Sequence, residues 1–261
     1  MKNIILTAVS LLLITSCTDP KSKLSKQIED LRMTEKQNFE VKLNLAELQE
    51  KYINEFDEDS LTIRFNEEVA NFYYQVDSFE KAIQYVDRYN SKYDSSSEKW
   101  NMTMLKARSL VNQAKYAEGI IVYEDILQNQ SLPMQDVRLL GKAHQFYISD
   151  SSFAGRDKHL FKLGGIKEQM NEVDSAILIY SHLYTMYPNS KYGAFSMMKH
   201  SDLLEKTAEV EKSKAVLAKL IEAYPETQFA KDAKILLDEN LIGQTAEEQL
   251  NYILNKKKLN N

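Results

Sequence analysis

The sequence predicts an all-α protein built from repeated helical hairpins, and three observations carry that prediction. Glycine and proline are scarce, seven and four in 261 residues, too few for strands joined by tight turns. Long stretches rich in Leu, Ala, Glu and Lys take their place, and most of these residues lose little on entering a helix. The same short patterns also return at an interval of 37 residues. Apolar residues make up 43 % and charged residues 27 %, the proportions of a folded chain rather than a disordered one. A net charge of −5 without a Lys/Arg face leaves no electrostatic footprint for nucleic acid. The Lys256, Lys257, Lys258 run reads as a solvated helix end.

The first segment belongs to targeting. Lys2 precedes an apolar run from Ile4 to Ile14, broken by Thr7 and Ser10. A helix needs roughly 20 apolar residues to span a bilayer, so this run is too short. A positive start, a short apolar core and small residues before a cut describe a secretory signal. The only cysteine, Cys17, directly follows Ile14-Thr15-Ser16, and one thiol allows no intramolecular disulfide. The four residues resemble the bacterial lipobox. That resemblance implies a signal peptide over 1–16, lipidation of Cys17 and a polar tether over 17–23. Each buried CH₂ contributes ~0.8 kcal/mol and several acyl chains together anchor stably, so the expected tether is permanent. Thr18, not Asp, would be second in the mature chain, which favours the periplasmic side of the outer membrane. Inner membrane and cell surface stay open as alternatives.

The hairpins are read next. Pro188 and Pro225 are 37 residues apart, each preceded by Tyr and followed two residues on by Ser190 or Thr227. That spells a helix end, a stop and the N-cap of the next helix. Asp57 and Asp94 repeat the interval, with Ser60 and Ser95 to Ser97 as starts, and one more step lands on Ser131 before Pro133. Within the hairpins an apolar residue precedes a small one by three: Phe79/Ala82, Tyr116/Gly119, Val173/Ala176 and Val210/Ser213. Close helix crossing demands the small residue. An apolar knob follows four residues later, at Val86, Tyr123, Tyr180 and Leu217.

The interval breaks once, because Ser131 to Pro188 is 57 residues. The surplus is an added helix near 134–148, which either protrudes or replaces a lost partner. Upstream, 24–39 forms either the first helix of an opening repeat or a short coiled segment. Downstream, 230–237 and 246–254 provide capping helices with a polar outer side, as stacked repeats require.

Together these motifs resemble a tetratricopeptide-repeat array, with the longer hairpins of bacterial envelope repeat lipoproteins; the period in such arrays is usually about 34 residues. The resemblance covers about residues 41 to 240 and implies a right-handed α-solenoid with one inserted helix. It is expected to span 24–257, leaving 258–261 as a tail. No enzyme signal accompanies it. His144, His159, His182 and His200 share no ligand spacing, and neither a phosphate loop nor a nucleophile elbow occurs. Gly164-Gly165 lies inside a helix, where packing explains it. Ser96-Ser97-Glu98-Lys99 fits S-x-x-K only formally, since a serine at a helix start caps an exposed amide. No metal, cofactor or small-molecule substrate is expected.

The family's first helices line a groove for extended or helical peptides. Carried over by position, the lining comprises Arg64, Glu67, Asn71 and Tyr74, then Met104 and Arg108. Beyond the insertion it continues with Lys158, Phe161 and Glu168, then Met198, Asp202 and Glu205. The resemblance thus implies a non-enzymatic, lipid-anchored scaffold whose partner is another cell-envelope protein or a peptide segment of one. Two relatives with such repeats suggest processes: the lipoprotein of the β-barrel assembly machinery, and a periplasmic coordinator of constriction and wall synthesis.

Overall fold

A computed structural model describes residues 19–56, 59–93, 97–244, 247–248 and 251–252. Among the described residues the regular elements are twelve α-helices, and neighbours in sequence pack against each other. The signal segment, Cys17 and the caps Asp57, Asp94, Ser95 and Ser96 lie outside them, as do much of 246–254 and the tail 258–261. The chain divides into two compact units, one ending at Leu105 and one beginning at Lys106.

The first unit holds α1 (Pro20–Arg32), α2 (Phe39–Glu55), α3 (Ser60–Gln75), α4 (Phe79–Lys92) and the start of α5 (Ser97–Asn112). Asp19 accepts a hydrogen bond from the Ser22 amide at 3.2 Å and Pro20 occupies the first turn. Both features start helices, so the stretch expected as a tether to Lys23 is already helical from Pro20. Leu24 and Ile28 of α1 bury against Tyr52, Ile53, Phe65 and Val69. The segment is therefore the opening helix of a repeat, and α2 has the partner it needs. A capping box between Asp59 and Thr62 begins α3, and Tyr52 ties α2 to it by donating to Asp59 at 2.8 Å. Ala70, Val86 and Tyr89 then close over Met102 and Leu105.

The second unit continues α5 and adds α6 (Tyr116–Ile126), α7 (Met134–Ser149), α8 (Arg156–Gln169) and α9 (Val173–Met186). It ends with α10 (Gly193–Lys206), α11 (Val210–Ala223) and α12 (Gln228–Asp238). The expected crossings are present. A Cβ on Gly119 would lie 2.7 Å from Val111 Cγ2, and one on Gly164 would lie 2.5 Å from the Tyr180 ring. Ala82, Ala176 and Ser213 are fully buried, as are the knobs Val86, Tyr123, Tyr180 and Leu217 to within 1 %. Gly165 differs from its neighbour: it is exposed, and the nearest atom to its Cβ position is the Tyr180 hydroxyl at 3.8 Å.

The turns after α3, α5, α8, α10 and α12 share one device. Asp77, Ala114, Asn171, Ala208 and Asn240 adopt positive φ between 50° and 63°. The amide after each donates back to the carbonyl five residues before it, as in Ser78 N to Tyr73 O at 2.8 Å and Glu209 N to Leu204 O at 2.7 Å. This is the Schellman closure, which satisfies carbonyls that the helix end leaves open.

The added helix matches α7 and is packed in. It lies between α6 and α8, burying Val137, Leu140 and Ala143. The fold is the all-α, solenoid-type stacking of tetratricopeptide-like hairpins with one inserted helix.

Candidate functional site

The second unit presents an aromatic ladder. Phe161 on α8 stacks on Tyr192 at 4.6 Å and 14°, and meets Phe195 of α10 edge-on at 5.4 Å. Phe195 meets Phe229 of α12 edge-on at 5.5 Å. All four rings are half-buried, so each offers surface while its geometry is fixed by the next. Such ring pairs contribute about 0.5–1.5 kcal/mol beyond the area they bury.

Local structure holds the ladder in place. Ser190 donates to Asp157 at 2.7 Å, fixing the segment before α10 to the first turn of α8. Tyr224 donates to the Pro188 carbonyl at 2.8 Å. It reaches that carbonyl because Gly193 has no side chain: a Cβ there would fall 2.1 Å from the Tyr224 oxygen. Cations flank the rings, with Lys191 Nζ 5.2 Å from the Tyr192 centroid and Lys199 Nζ 5.9 Å from that of Phe195. Lys199 also pairs with Glu168 at 3.2 Å, and Glu168 accepts from Tyr180 at 2.7 Å. Burial, then the hydrogen bond to Glu168, raises the Tyr180 phenol far above its usual range. Tyr180 thus stays a neutral donor that orients Glu168.

Of the residues expected on this face, Phe161 is the first rung and Glu168 holds Lys199, the cation beside Phe195. Lys158 and Asp202 are exposed. Met198 packs on the core around Leu217, and Glu205 accepts from the Gly243 amide at 3.3 Å. Arg108 is engaged in structure, bonded to Asp136 through both Nε and Nη2 at 2.7 Å. Tyr192, Phe195 and Phe229 escaped the sequence reading. Phe161, Phe195 and Phe229 are separated by 34 residues each, and that second interval is the signal that would have found Phe195 and Phe229.

In the first unit Arg64, Glu67 and Asn71 come together, lining a recess of about 470 Å³ between α1, α2 and α3. Glu68 anchors it, bonded to Arg32 and Gln49 and lying 3.7 Å from Arg64. Tyr74 instead packs its ring 5.7 Å from that of Phe79. Met104 on α5 is half-buried. The histidines share no ligand spacing in sequence, yet His144 and His159 meet at 2.9 Å. Among the described residues no group of three or more His, Cys, Asp and Glu could hold a metal ion.

The tetratricopeptide repeat family matches residues 195–227, the stretch from the second rung of the ladder to just before the third. No curated protein matches the chain in sequence. Among solved structures the chain is similar to YrrB, described as a tetratricopeptide-repeat protein with an unusual peptide-binding site. Identity there is 20 %, covering 72 % of this chain and 98 % of that one, with a TM-score of 0.32. It is also similar to the C-terminal part of a repeat protein from Cytophaga hutchinsonii, at 14 % identity, 92 % and 90 % coverage and a TM-score of 0.35. The apo form of RapI is a third, at 13 % identity, 90 % and 83 % coverage and a TM-score of 0.35.

Proposed function

We propose that this chain is a non-catalytic, lipid-anchored scaffold that captures a segment of another cell-envelope protein on the aromatic ladder of its second unit. The ladder carries the reading. Four half-buried rings on the starts of three helices, flanked by lysines, supply the rigid aromatic anchors in which binding energy concentrates. The lipobox-like Ile14-Thr15-Ser16-Cys17 supports placement at a membrane surface, on the periplasmic side of the outer membrane. Assembly of β-barrel outer-membrane proteins is the process the resemblance favours, with coordination of constriction and wall synthesis as the other.

The test is crosslinked capture from envelope membranes with the wild-type chain as bait, identifying the protein held. Phe195→Ala combined with Phe229→Ala should weaken its recapture by the purified chain at least about tenfold while helix content at 25 °C is kept. The Ile235→Ala change, at an exposed residue of α12 (52 %), should leave recapture intact. Recapture that survives loss of both rings, or turnover of an envelope substrate by the purified chain, overturns the proposal.

A further inference from the structure

The inserted helix carries a titratable pair that the ladder does not use. His144 on α7 is 1 % exposed, and its Nδ1 lies 2.9 Å from Nδ1 of His159 on α8. Two neutral imidazoles can meet this way only if one Nδ1 carries a hydrogen and the other a lone pair. The far nitrogen of His144, Nε2, is buried without a hydrogen-bond partner. A bare lone pair there costs less than an unpaired N–H, so His144 donates from Nδ1 and His159 accepts.

An added proton has no comfortable place. On His144 Nε2 it makes a buried imidazolium with an unpaired N–H. On His159 Nδ1 it turns the shared bond around, and the hydrogen of His144 must then move to the same orphaned Nε2. His159 cannot swing aside freely, because Tyr147 stacks on it at 4.5 Å and Phe153 meets its edge at 5.6 Å.

The charges facing the pair do not rescue the proton. From α6 comes Glu124, which favours protonation but is held by Lys162 at 3.0 Å. From α8 come Lys158 and Lys162, which oppose it at His144, and Asp157, which favours it at His159 but is engaged by Ser190. From α7 itself Tyr147 is stacked there. We propose that His144 and His159 form an acid-sensitive latch, and that proton uptake by the pair releases the inserted helix α7 from α8.

Burial, then the neighbouring His159, pushes His144 down to about 4, and burial lowers His159 as well. A free imidazole titrates near 6.5. The released state therefore binds more protons between these values, so the seam is at full strength above about pH 6.5 and weakens as pH falls toward about 4.

Amide hydrogen exchange on the full chain tests the latch, comparing α7 with the histidine-free helix α4. Between pH 7 and pH 5, after correction for intrinsic rates, protection of α7 should fall at least about tenfold more than that of α4. His159→Gln keeps an acceptor for His144 and removes one of the two titrating groups, so it should reduce the excess. Should that variant lose helix content at pH 7, imidazole titration of the wild-type chain by NMR decides, and both histidines should titrate below the free value near 6.5. Equal protection changes in α7 and α4, an excess unchanged by His159→Gln, or either histidine titrating at 6.5 or above overturns the proposal.

Discussion

Arg108 and Asp136 form a two-pronged ion pair, Nε to Oδ1 and Nη2 to Oδ2, each at 2.7 Å. It joins α5 to the inserted helix, and Tyr123 adds a third bond to Oδ1 at 2.8 Å. Asp136 is completely buried whereas the Arg108 side chain is 22 % exposed, so the carboxylate relies on its partners. Breaking a buried pair from one side costs about 3–5 kcal/mol. Arg108→Ala, which strips that carboxylate of its cation, should lower the free energy of unfolding by an amount in this range, measured in urea. A loss below about 1 kcal/mol would show that the pair is not holding α7. The arginine that the sequence placed in a groove is thus a poor probe of binding.

The adjacent glycines of α8 should respond with opposite sign. Gly164→Ala drives a methyl into the Tyr180 ring at 2.5 Å, and overpacking of this kind costs about 1–3 kcal/mol. Gly165→Ala meets only the Tyr180 hydroxyl at 3.8 Å and should stabilise by up to about 1 kcal/mol through helix propensity. Thermal midpoints of the two variants check this, and a shared direction would contradict the helix register.

Turn closure gives a third expectation. Ala208 holds φ at 63°, where an L residue with a Cβ is strained and glycine is not. Ala208→Gly should stabilise by about 0.5–1 kcal/mol, and Asn171→Gly by less, because Asn tolerates this region better. Chemical denaturation of both variants provides the measurement.

Anchoring is tested at Cys17. Cys17→Ala should move the protein from the membrane fraction to the soluble one or leave it unprocessed. Mass spectrometry of the mature wild-type N-terminus should find an acylated cysteine, and an unmodified one would end the lipoprotein reading.

Hairpin crossings were readable in sequence because they depend on short-range spacing: Val173/Ala176 with Tyr180 is a local pattern, and its packing against Gly164 lies within one hairpin. The added helix was readable as a break in the interval. What escaped depends on contacts between hairpins. Asp136 is 28 residues from the arginine it binds, and nothing local marks it as buried. Phe195 and Phe229 follow an interval of 34 while the caps follow 37, so a search keyed to hairpin boundaries passes over them. His144 and His159 are 15 residues apart, across the turn after the inserted helix, and no ligand spacing exposes such a meeting.

The mismatch between the two intervals bounds the ladder. Phe161 is the sixth residue of α8, Phe195 the third of α10 and Phe229 the second of α12. Each rung therefore sits nearer the start of its helix than the one before, and the line of rings climbs obliquely toward the helix N-termini. By Phe229, the second residue of α12, it has nearly run out of helix to stand on. Like a vernier, the offset gives the surface a built-in length. An added hairpin would lengthen this strip only if it carried its own ring in this register, so the span of any ligand read by the rings is set by register and not by repeat number alone.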